Sequence, residues 1–311
     1  MATLLPQRFG MDSLPDTVRI CEVSPRDGLQ AEALTLSPEL RAQLITRLAA
    51  TGLTQIEAGS FVSPKAVPQM SGTAEVLAAR DLDAHVSYPV LVPNHRGLED
   101  ARAAGAQDVA VFISVTDAFS RANLGDGLEV TTARAHEVAR SAVASGMRVR
   151  GYLSMVFGDP WEGSVDPQRV VTAALGLLEA GCASLSLGDT IGTATPGHVS
   201  AVIEALLAAG VPVEAIALHT HNTYGQALAN VYAALQLGVS EFDSAAGGLG
   251  GCPFAGSATG NLATEDLLWM LQGLGIDTGI DMRALAETSH WLAAQLDRRL
   301  PSATSSAIVH Q

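Results

Sequence analysis

The sequence predicts an α/β protein whose main domain is a single closed (β/α)8 barrel, the TIM-barrel fold, with an extra C-terminal helix. Short runs rich in β-branched and aromatic residues alternate with longer runs rich in alanine and leucine. The alternation occurs eight times in roughly 260 residues, the length of one such barrel. A doubly wound open sheet is the alternative, but no G-x-G-x-x-G follows the first strand.

The strands are taken from short apolar runs that end at turn-forming residues. In chain order they are TVRICEV (17–23), TQIEAG (54–59), HVSYPVLV (85–92), DVAVFIS (108–114), RVRGYLSMV (148–156), ASLSLG (183–188), AIALHT (215–220) and SEFDSA (240–245).

The helices lie between these strands. Residues 37–52 and 166–181 each have proline just inside the start and glycine at the end, the usual asymmetry of helix termini. Glycines at 52, 105, 146, 181, 210 and 238 each end a helical run shortly before a strand. Two further helices follow the eighth strand. We therefore predict an N-terminal tail (1–16), one barrel domain (17–300) and a mobile C-terminal tail (301–311).

Composition excludes several classes of function. The net charge of −14 disfavours a nucleic-acid partner, because such a surface repels the phosphate backbone. No apolar run is long enough to cross a bilayer, so no membrane partner is expected. The N-terminal residues do not resemble a secretory signal, although Arg8 and the lack of early acidic residues leave organelle import open. Three cysteines make no disulfide framework. A reducing, cytoplasmic location is expected.

Ionisable and metal-binding residue types follow five of the eight strands. Because barrel enzymes carry their chemistry on the loops after the strands, these side chains are expected at one rim. They are Arg26, Asp27 and Gln30 after the first strand, Glu57 at the second, Asp189 after the sixth, His219 and His221 at the seventh, and Cys252 and Asn261 after the eighth.

The pair His219 and His221 is a candidate metal site. Side chains two apart on a strand share a face, so both imidazoles could reach one ion. The H-x-H pattern alone equally fits ordinary polar residues at a strand end. Asp27 could add a carboxylate and Asn261 an amide oxygen, although Asn261 also fits a helix N-cap. Such a mixed nitrogen and oxygen set suits Mg²⁺ or Mn²⁺.

Four other residues could take part in catalysis, and Arg26 and Gln30 are expected to bind the substrate. Arg26 is either half of a surface ion pair with Asp27 or a fixed cation for a developing enolate. Glu57 and Asp189 are interpreted as groups that orient the histidines or Arg26, or that handle protons. Cys252 lies in the glycine-rich run AGGLGGCPFAG, which no G-K-[ST] follows, so it is not a P-loop. A thiol there could transfer a proton.

Five sequence blocks, in order, resemble the 3-hydroxy-3-methylglutaryl-CoA (HMG-CoA) lyase family of barrel metallolyases. The blocks are EVSPRDGLQAE, IEAGSFVSPKAVPQM, SLGDTIG, HTHNTYGQALAN and GLGGCPFAGSATGNLATEDL. The resemblance spans about residues 17–300, nearly the whole chain.

The resemblance implies a carbon–carbon lyase of leucine catabolism and ketone-body formation, with an acyl-CoA substrate and a homodimeric assembly. It implies that Asp27, His219, His221 and Asn261 bind a divalent cation, Mg²⁺ or Mn²⁺. It implies a retro-Claisen cleavage of HMG-CoA to acetyl-CoA and acetoacetate. Arg26 would stabilise the enolate and Cys252 would donate the proton.

Several positions depart from the family pattern. Asn222 stands where the family often has Asp, Asp159 stands where a Cys is common, and residues 114–130 match the family only loosely. A lyase for a longer 3-hydroxy-3-alkylglutaryl-CoA therefore stays open. So do a transferase that condenses acetyl-CoA with a 2-oxo acid and a non-catalytic barrel that senses metal or acyl-CoA. The GLGGCP loop favours the lyase over the transferase.

Overall fold

The fold is a (β/α)8 barrel, as the sequence predicts. It is seen in a computed structural model that describes residues 5–79, 82–251 and 260–309. All the strands are parallel and belong to one sheet. The strands are β1 (Arg19–Glu22), β2 (Gln55–Ile56), β3 (Gly59–Ser60), β4 (Val90–Leu91), β5 (Asp108–Ser114), β6 (Arg148–Ser154), β7 (Ser184–Asp189), β8 (Ile216–Thr220) and β9 (Glu241–Ser244).

The eight predicted strands appear as nine because the second is interrupted. Its halves, β2 and β3, flank Glu57 and Ala58. β2 pairs with β1, while β3 pairs with β4. Across the interruption, the Glu57 amide donates to Glu22 O and the Ala58 amide donates to Pro89 O. The sheet order β2-β1-β9-β8-β7-β6-β5-β4-β3 thus closes on itself through one interrupted strand.

The helices cover the outside of the barrel and pack on its apolar core. They are α1 (Pro38–Ala49), α2 (Thr73–Leu77), α3 (His95–Ala103), α4 (Asp117–Leu124), α5 (Leu128–Ala144), α6 (Pro167–Glu179), α7 (Pro196–Ala208), α8 (Ala227–Gln236), α9 (Thr264–Gly273), α10 (Met282–Gln295) and α11 (Ala303–Val309). Among the described residues, no helix is both long enough and apolar enough to cross a membrane.

Local sequence explains where the predicted helices begin and end. At the start of α1, the Ser37 hydroxyl accepts from the Leu40 amide and Pro38 occupies the first turn. Asp166 caps α6 in the same way, through the Gln168 amide. Gly52 and Gly181 follow these helices with φ of 97°, a left-handed conformation that glycine adopts readily.

Within residues 301–311, which the sequence predicts to be a mobile tail, Ala303–Val309 form the docked helix α11. Asp266 of α9 caps α11, because its carboxylate accepts from the Thr304 amide at 2.8 Å and from the Ser302 hydroxyl at 3.0 Å. Ser302 and Ile308 are buried. The short polar run SATSS does not predict this helix, because its cap comes from a residue far away in the chain.

Candidate active site

The turn after β1 carries Arg26 and Asp27 to the carboxyl end of the barrel. Residues Ser24–Gly28 form a short π-helical turn with Pro25 near its start. This wide turn directs two consecutive side chains towards the same cleft. A π turn is rare and often marks a functional site. The sequence places these residues at the rim but does not show how both can face inward.

Two carboxylates hold Arg26. Its Nε donates to Glu57 Oε2 at 2.7 Å, and its Nη1 donates to Asp27 Oδ1 at 2.6 Å. Arg26 and Glu57 are buried. Burial lowers the pKa of Arg26, but Glu57 and Asp27 outweigh it and raise that pKa overall. Arg26 is therefore a fixed, permanently charged guanidinium at the cleft, and the surface ion-pair interpretation is wrong.

Asp27, His219 and His221 form a cluster of metal-ligand type. One ligand atom from each lies within 4.8 Å of the others. The two Nε2 atoms are 3.2 Å apart. Cis ligands on an octahedral ion with bonds of about 2.1 Å are about 3 Å apart, so this spacing fits a shared cation. Both His219 and His221 line the cleft, as the sequence predicts.

Asn261 joins the cluster from the segment that follows the glycine-rich loop. Its Nδ2 donates to Asp27 Oδ2 at 2.9 Å and to Leu249 O at 3.0 Å. Its Oδ1 is buried and has no hydrogen-bond partner among the described residues. A buried acceptor of this kind is costly unless something satisfies it, and a cation would. The backbone of Asn261 forms an isolated antiparallel β-bridge with His221. Asn261 does not cap α9, whose N-cap is Ala263.

The charges in the cluster shift its pKa values in opposite directions. Burial raises the pKa of Asp27, but Arg26 and the two imidazoles lower it to well below its usual range. Burial and the neighbouring His219 lower the pKa of His221 to about 4. Burial lowers the pKa of His219, but Asp243 and Asp27 outweigh it and raise that pKa. At neutral pH, His221 is a neutral imidazole and Asp27 is a carboxylate, the states in which each binds a metal.

One side of the cleft is apolar. Its wall includes Leu91, Phe112 and Leu153, and Gln30 and Asn123 provide amides at its edge. Gln30, predicted as a substrate contact, is half-buried there. The cleft thus offers a charged end and an apolar wall to one ligand.

Asp189 lies at the end of β7, but its carboxylate is turned towards the next loop. Its Oδ1 accepts from the Ala194 amide at 3.1 Å, while its neighbours Gly188 and Thr190 line the cleft. Burial raises its pKa to about 6. The predicted Cys252 lies outside the described residues. The described residues end before it at Gly251, which lines the cleft, and resume at Gly260.

Two departures from the family pattern have structural roles here. Asp159 accepts from the Thr116 hydroxyl at 2.6 Å and from the Trp161 amide at 2.7 Å, which ties the loop after β6 to the end of β5. Asn222 is exposed, and its Oδ1 accepts from the Ala227 amide at 3.3 Å near the start of α8. Neither of these two side chains lines the cleft.

Three buried residues inside the barrel are missed by the sequence reasoning. Asp243 Oδ2 lies 3.2 Å from His219 Nδ1, and Arg150 Nη2 donates to Asp243 Oδ1 at 2.5 Å. The Tyr152 ring lies edge-on to the His219 ring. The Arg26 guanidinium is 5.3 Å from the centre of the Tyr152 ring. A signal was available. Arg150 and Tyr152 on β6 are two apart, a spacing that puts them on one face of a buried strand.

Comparison with known proteins agrees with this architecture. The sequence model of the HMGL-like family matches residues 17–292. Hydroxymethylglutaryl-CoA lyase of Pseudomonas mevalonii is 49% identical over 279 residues, which is 90% of this chain and 92% of that protein.

Solved structures show the same similarity. Hydroxymethylglutaryl-CoA lyase of Pseudomonas aeruginosa has a TM-score of 0.93 at 46% identity, covering 96% of this chain and 99% of that one. An HMG-CoA lyase of Acinetobacter baumannii, in complex with coenzyme A and 3-methylmalate, has a TM-score of 0.90 at 36% identity, covering 96% and 97%. The chain described here therefore belongs to the HMGL-like family.

Proposed function

We propose that this protein is a divalent-metal-dependent lyase that cleaves HMG-CoA into acetyl-CoA and acetoacetate. The observation that carries the proposal is the cluster of Asp27, His219 and His221 within 4.8 Å, directly beside the buried cation Arg26. The two Pseudomonas HMG-CoA lyases share 46–49% of their residues with the chain over 90% or more of its length. The coenzyme A complex of one of them supports an acyl-CoA substrate.

Asp27, His219, His221 and Asn261 would hold the cation. Two imidazole nitrogens, a carboxylate and an amide oxygen suit Mg²⁺ or Mn²⁺ better than a thiolate-rich site would. When bound, the cation supplies Lewis-acid polarisation of substrate oxygens. The orphaned Asn261 Oδ1 supports its place in the set.

The other residues of the cleft handle charge and protons. In the reaction, a base takes the proton from the tertiary hydroxyl, the C2–C3 bond breaks, and C3 becomes the ketone carbon of acetoacetate. The electron pair of that bond moves onto the acetyl-CoA fragment as an enolate, beside Arg26. A fixed guanidinium stabilises that charge without reorganising. Cys252 then donates a proton to C2, which completes acetyl-CoA.

Glu57 and Asp189 would support these steps in different ways. Glu57 positions Arg26 through its 2.7 Å hydrogen bond. Asp189, with a pKa near 6, is suited to take up and release a proton close to neutral pH. Gln30 and the apolar wall would contact the acyl group, and the size of that wall would set the longest 3-alkyl group accepted.

We further propose a cytoplasmic protein that acts as a homodimer in leucine catabolism and ketone-body formation. Cys21 and Cys182 are buried free thiols, which agrees with a reducing compartment. The dimer is carried by the family resemblance alone.

A product assay tests the function. Incubate the purified protein with HMG-CoA and Mg²⁺ or Mn²⁺, and quantify acetoacetate and acetyl-CoA with and without EDTA. We expect equal amounts of both products and loss of turnover on chelation. Turnover of a longer 3-alkyl homologue without turnover of HMG-CoA would reject the HMG-CoA assignment and keep the lyase. Condensation of acetyl-CoA with a 2-oxo acid would reject the lyase.

A further inference from the structure

We infer that Asp243 is a positioning residue that fixes the tautomer of His219 and thereby keeps the Nε2 lone pair of His219 available to a cation. The inference rests on the proposed function, because it takes His219 as a metal ligand. It concerns a buried residue of β9 that does not line the cleft.

The barrel register brings the two side chains together. His219 on β8 pairs directly with Asp243 on β9, and residues in register on parallel strands point to the same side of the sheet. His219 Nδ1 lies 3.2 Å from Asp243 Oδ2, and both residues are buried. A carboxylate can only accept a hydrogen bond, so the proton must lie on Nδ1. The opposite nitrogen, Nε2, then carries the lone pair and faces His221.

Asp243 is itself held on both oxygens. The Ser186 hydroxyl donates to Oδ2 at 2.6 Å, and Arg150 Nη2 donates to Oδ1 at 2.5 Å. Arg150 stays protonated under all conditions in which the protein is folded. Its guanidinium therefore requires a hydrogen-bond acceptor at the position of Asp243 Oδ1. The orientation of the Asp243 carboxylate is therefore fixed, and both of its oxygens accept hydrogen bonds.

This arrangement makes Asp243→Asn an informative substitution. The amide has one acceptor and one donor, and Arg150 can tolerate only the acceptor. The amide nitrogen must then face Ser186 and His219. Facing a donor, His219 Nδ1 has to accept, so the proton moves to Nε2 and occupies the lone pair that a metal needs. A substitution of the same kind beside a catalytic histidine in serine proteases disables the site through the wrong tautomer.

The chain offers a matched control at the opposite side of Arg150. Glu241 also pairs with Arg150 inside the barrel and additionally pairs with Arg19, and it contacts neither His219 nor His221 in any described hydrogen bond or ion pair. Glu241→Gln disturbs the same buried guanidinium without offering a donor to His219. Both variants should lose thermal stability to a similar degree, since each weakens a buried ion pair.

The test combines ¹⁵N NMR of histidine-labelled, metal-free protein with Mn²⁺ binding followed by electron paramagnetic resonance. At a pH high enough to make His219 a neutral imidazole, we expect an Nδ1–H tautomer for His219 in the wild type and in Glu241→Gln, and an Nε2–H tautomer in Asp243→Asn. Mn²⁺ affinity should fall about 10- to 100-fold in Asp243→Asn. It should change less than about threefold in Glu241→Gln.

Three results separate the possible failures. An Nε2–H tautomer in the wild type overturns the inference even if Asp243→Asn does not fold. Equal losses of Mn²⁺ affinity in the two variants also overturn it, because the effect would then come from general destabilisation. A wild type that shows the Nδ1–H tautomer but binds no Mn²⁺ upholds the hydrogen-bond assignment and rejects the proposed metal site.

Discussion

Neighbouring side chains fix the orientation of the Arg26 guanidinium. Glu57 and Asp27 each accept one of its N–H groups, and the Tyr152 ring lies 5.3 Å from its guanidinium. A buried arginine with two fixed partners needs no rearrangement to meet a new negative charge. The adjacent letters R and D at the end of the first strand predict this chemistry. The partner Glu57 is predicted only as a candidate, because its contact depends on how the second strand is interrupted.

Arg26→Gln should lower kcat by about 10²- to 10³-fold, because the amide removes the charge that stabilises the enolate. Mn²⁺ affinity should stay within about threefold of the wild type, since Arg26 is not a ligand. Steady-state kinetics and Mn²⁺ titration measure the two quantities. Glu57→Gln serves as the companion variant and should reduce kcat less, because the guanidinium keeps its partner Asp27. Unchanged kcat in Arg26→Gln would contradict the role.

Cys252→Ser should reduce turnover strongly and leave the Mn²⁺ affinity unchanged, because the proposed role of the thiol is proton donation. The serine hydroxyl is similar in size to the thiol but is a much weaker acid. Comparing kcat with Mn²⁺ affinity checks the prediction. A parallel loss of metal binding would show that Cys252 acts on the metal site.

Asp189 should make stability depend on pH. Its folded pKa of about 6 is above its ordinary value of 3.8, because burial disfavours the carboxylate. The stabilisation from this group is complete below the unfolded pKa and is lost as pH rises through about 6. Asp189→Asn stays neutral and can still accept from the Ala194 amide. Its stability relative to the wild type should therefore rise by up to about 3 kcal/mol between about pH 4 and pH 7.

Thermal unfolding of the metal-free wild type and the Asp189→Asn variant across that range measures the difference in Tm. The gap should widen with rising pH. A gap that is constant with pH would mean that the folded pKa of Asp189 is not raised.

Close backbone packing beside Gly260, after β9, adds to the side-chain hydrogen bonds that hold Asn261. A Cβ on Gly260 would lie 2.3 Å from Gly248 O and 2.6 Å from Gly250 O. The close packing of these backbone segments holds Asn261 against Asp27. The predicted order of strands and helices is confirmed because each depends on local patterns. The contacts across this loop could not be predicted, because they depend on backbone segments meeting at the barrel rim.

Gly260→Ala should weaken Mn²⁺ binding and reduce kcat, because the new methyl group displaces the segment that carries Asn261. Gly197→Ala is the matched control, since a Cβ there meets nothing within 4 Å and the residue lies in α7. The control should be neutral or more stable by about 0.5–1 kcal/mol. Mn²⁺ titration and thermal unfolding compare the two variants. Equal behaviour would show that the close packing at Gly260 is not needed for the site.

At the scale of the whole barrel, the candidate metal site at the carboxyl ends of the strands contacts a column of ion-paired side chains through His219 and Asp243. Inside the barrel, Arg150 forms ion pairs with both Asp243 and Glu241. Glu241 also pairs with Arg19 at the other end of this column. The H-x-H pattern predicts the ligands because spacing along one strand is local information. The column could not be predicted because it depends on how β1, β6 and β9 meet inside the barrel. Charged residues at alternate positions in SEFDSA and RVRGYLS are the sequence pattern that indicates charged side chains inside the barrel.

The most direct measurement of the central claim is acetoacetate formation from HMG-CoA by metal-stripped protein titrated with Mn²⁺. The site made by Asp27, His219, His221 and Asn261 predicts that activity rises from near zero and reaches its plateau at one ion per chain. His221→Ala, measured in parallel, should lack that plateau. Full activity of the stripped wild type, or a plateau that His221→Ala shares, would contradict a metal-dependent lyase at this site.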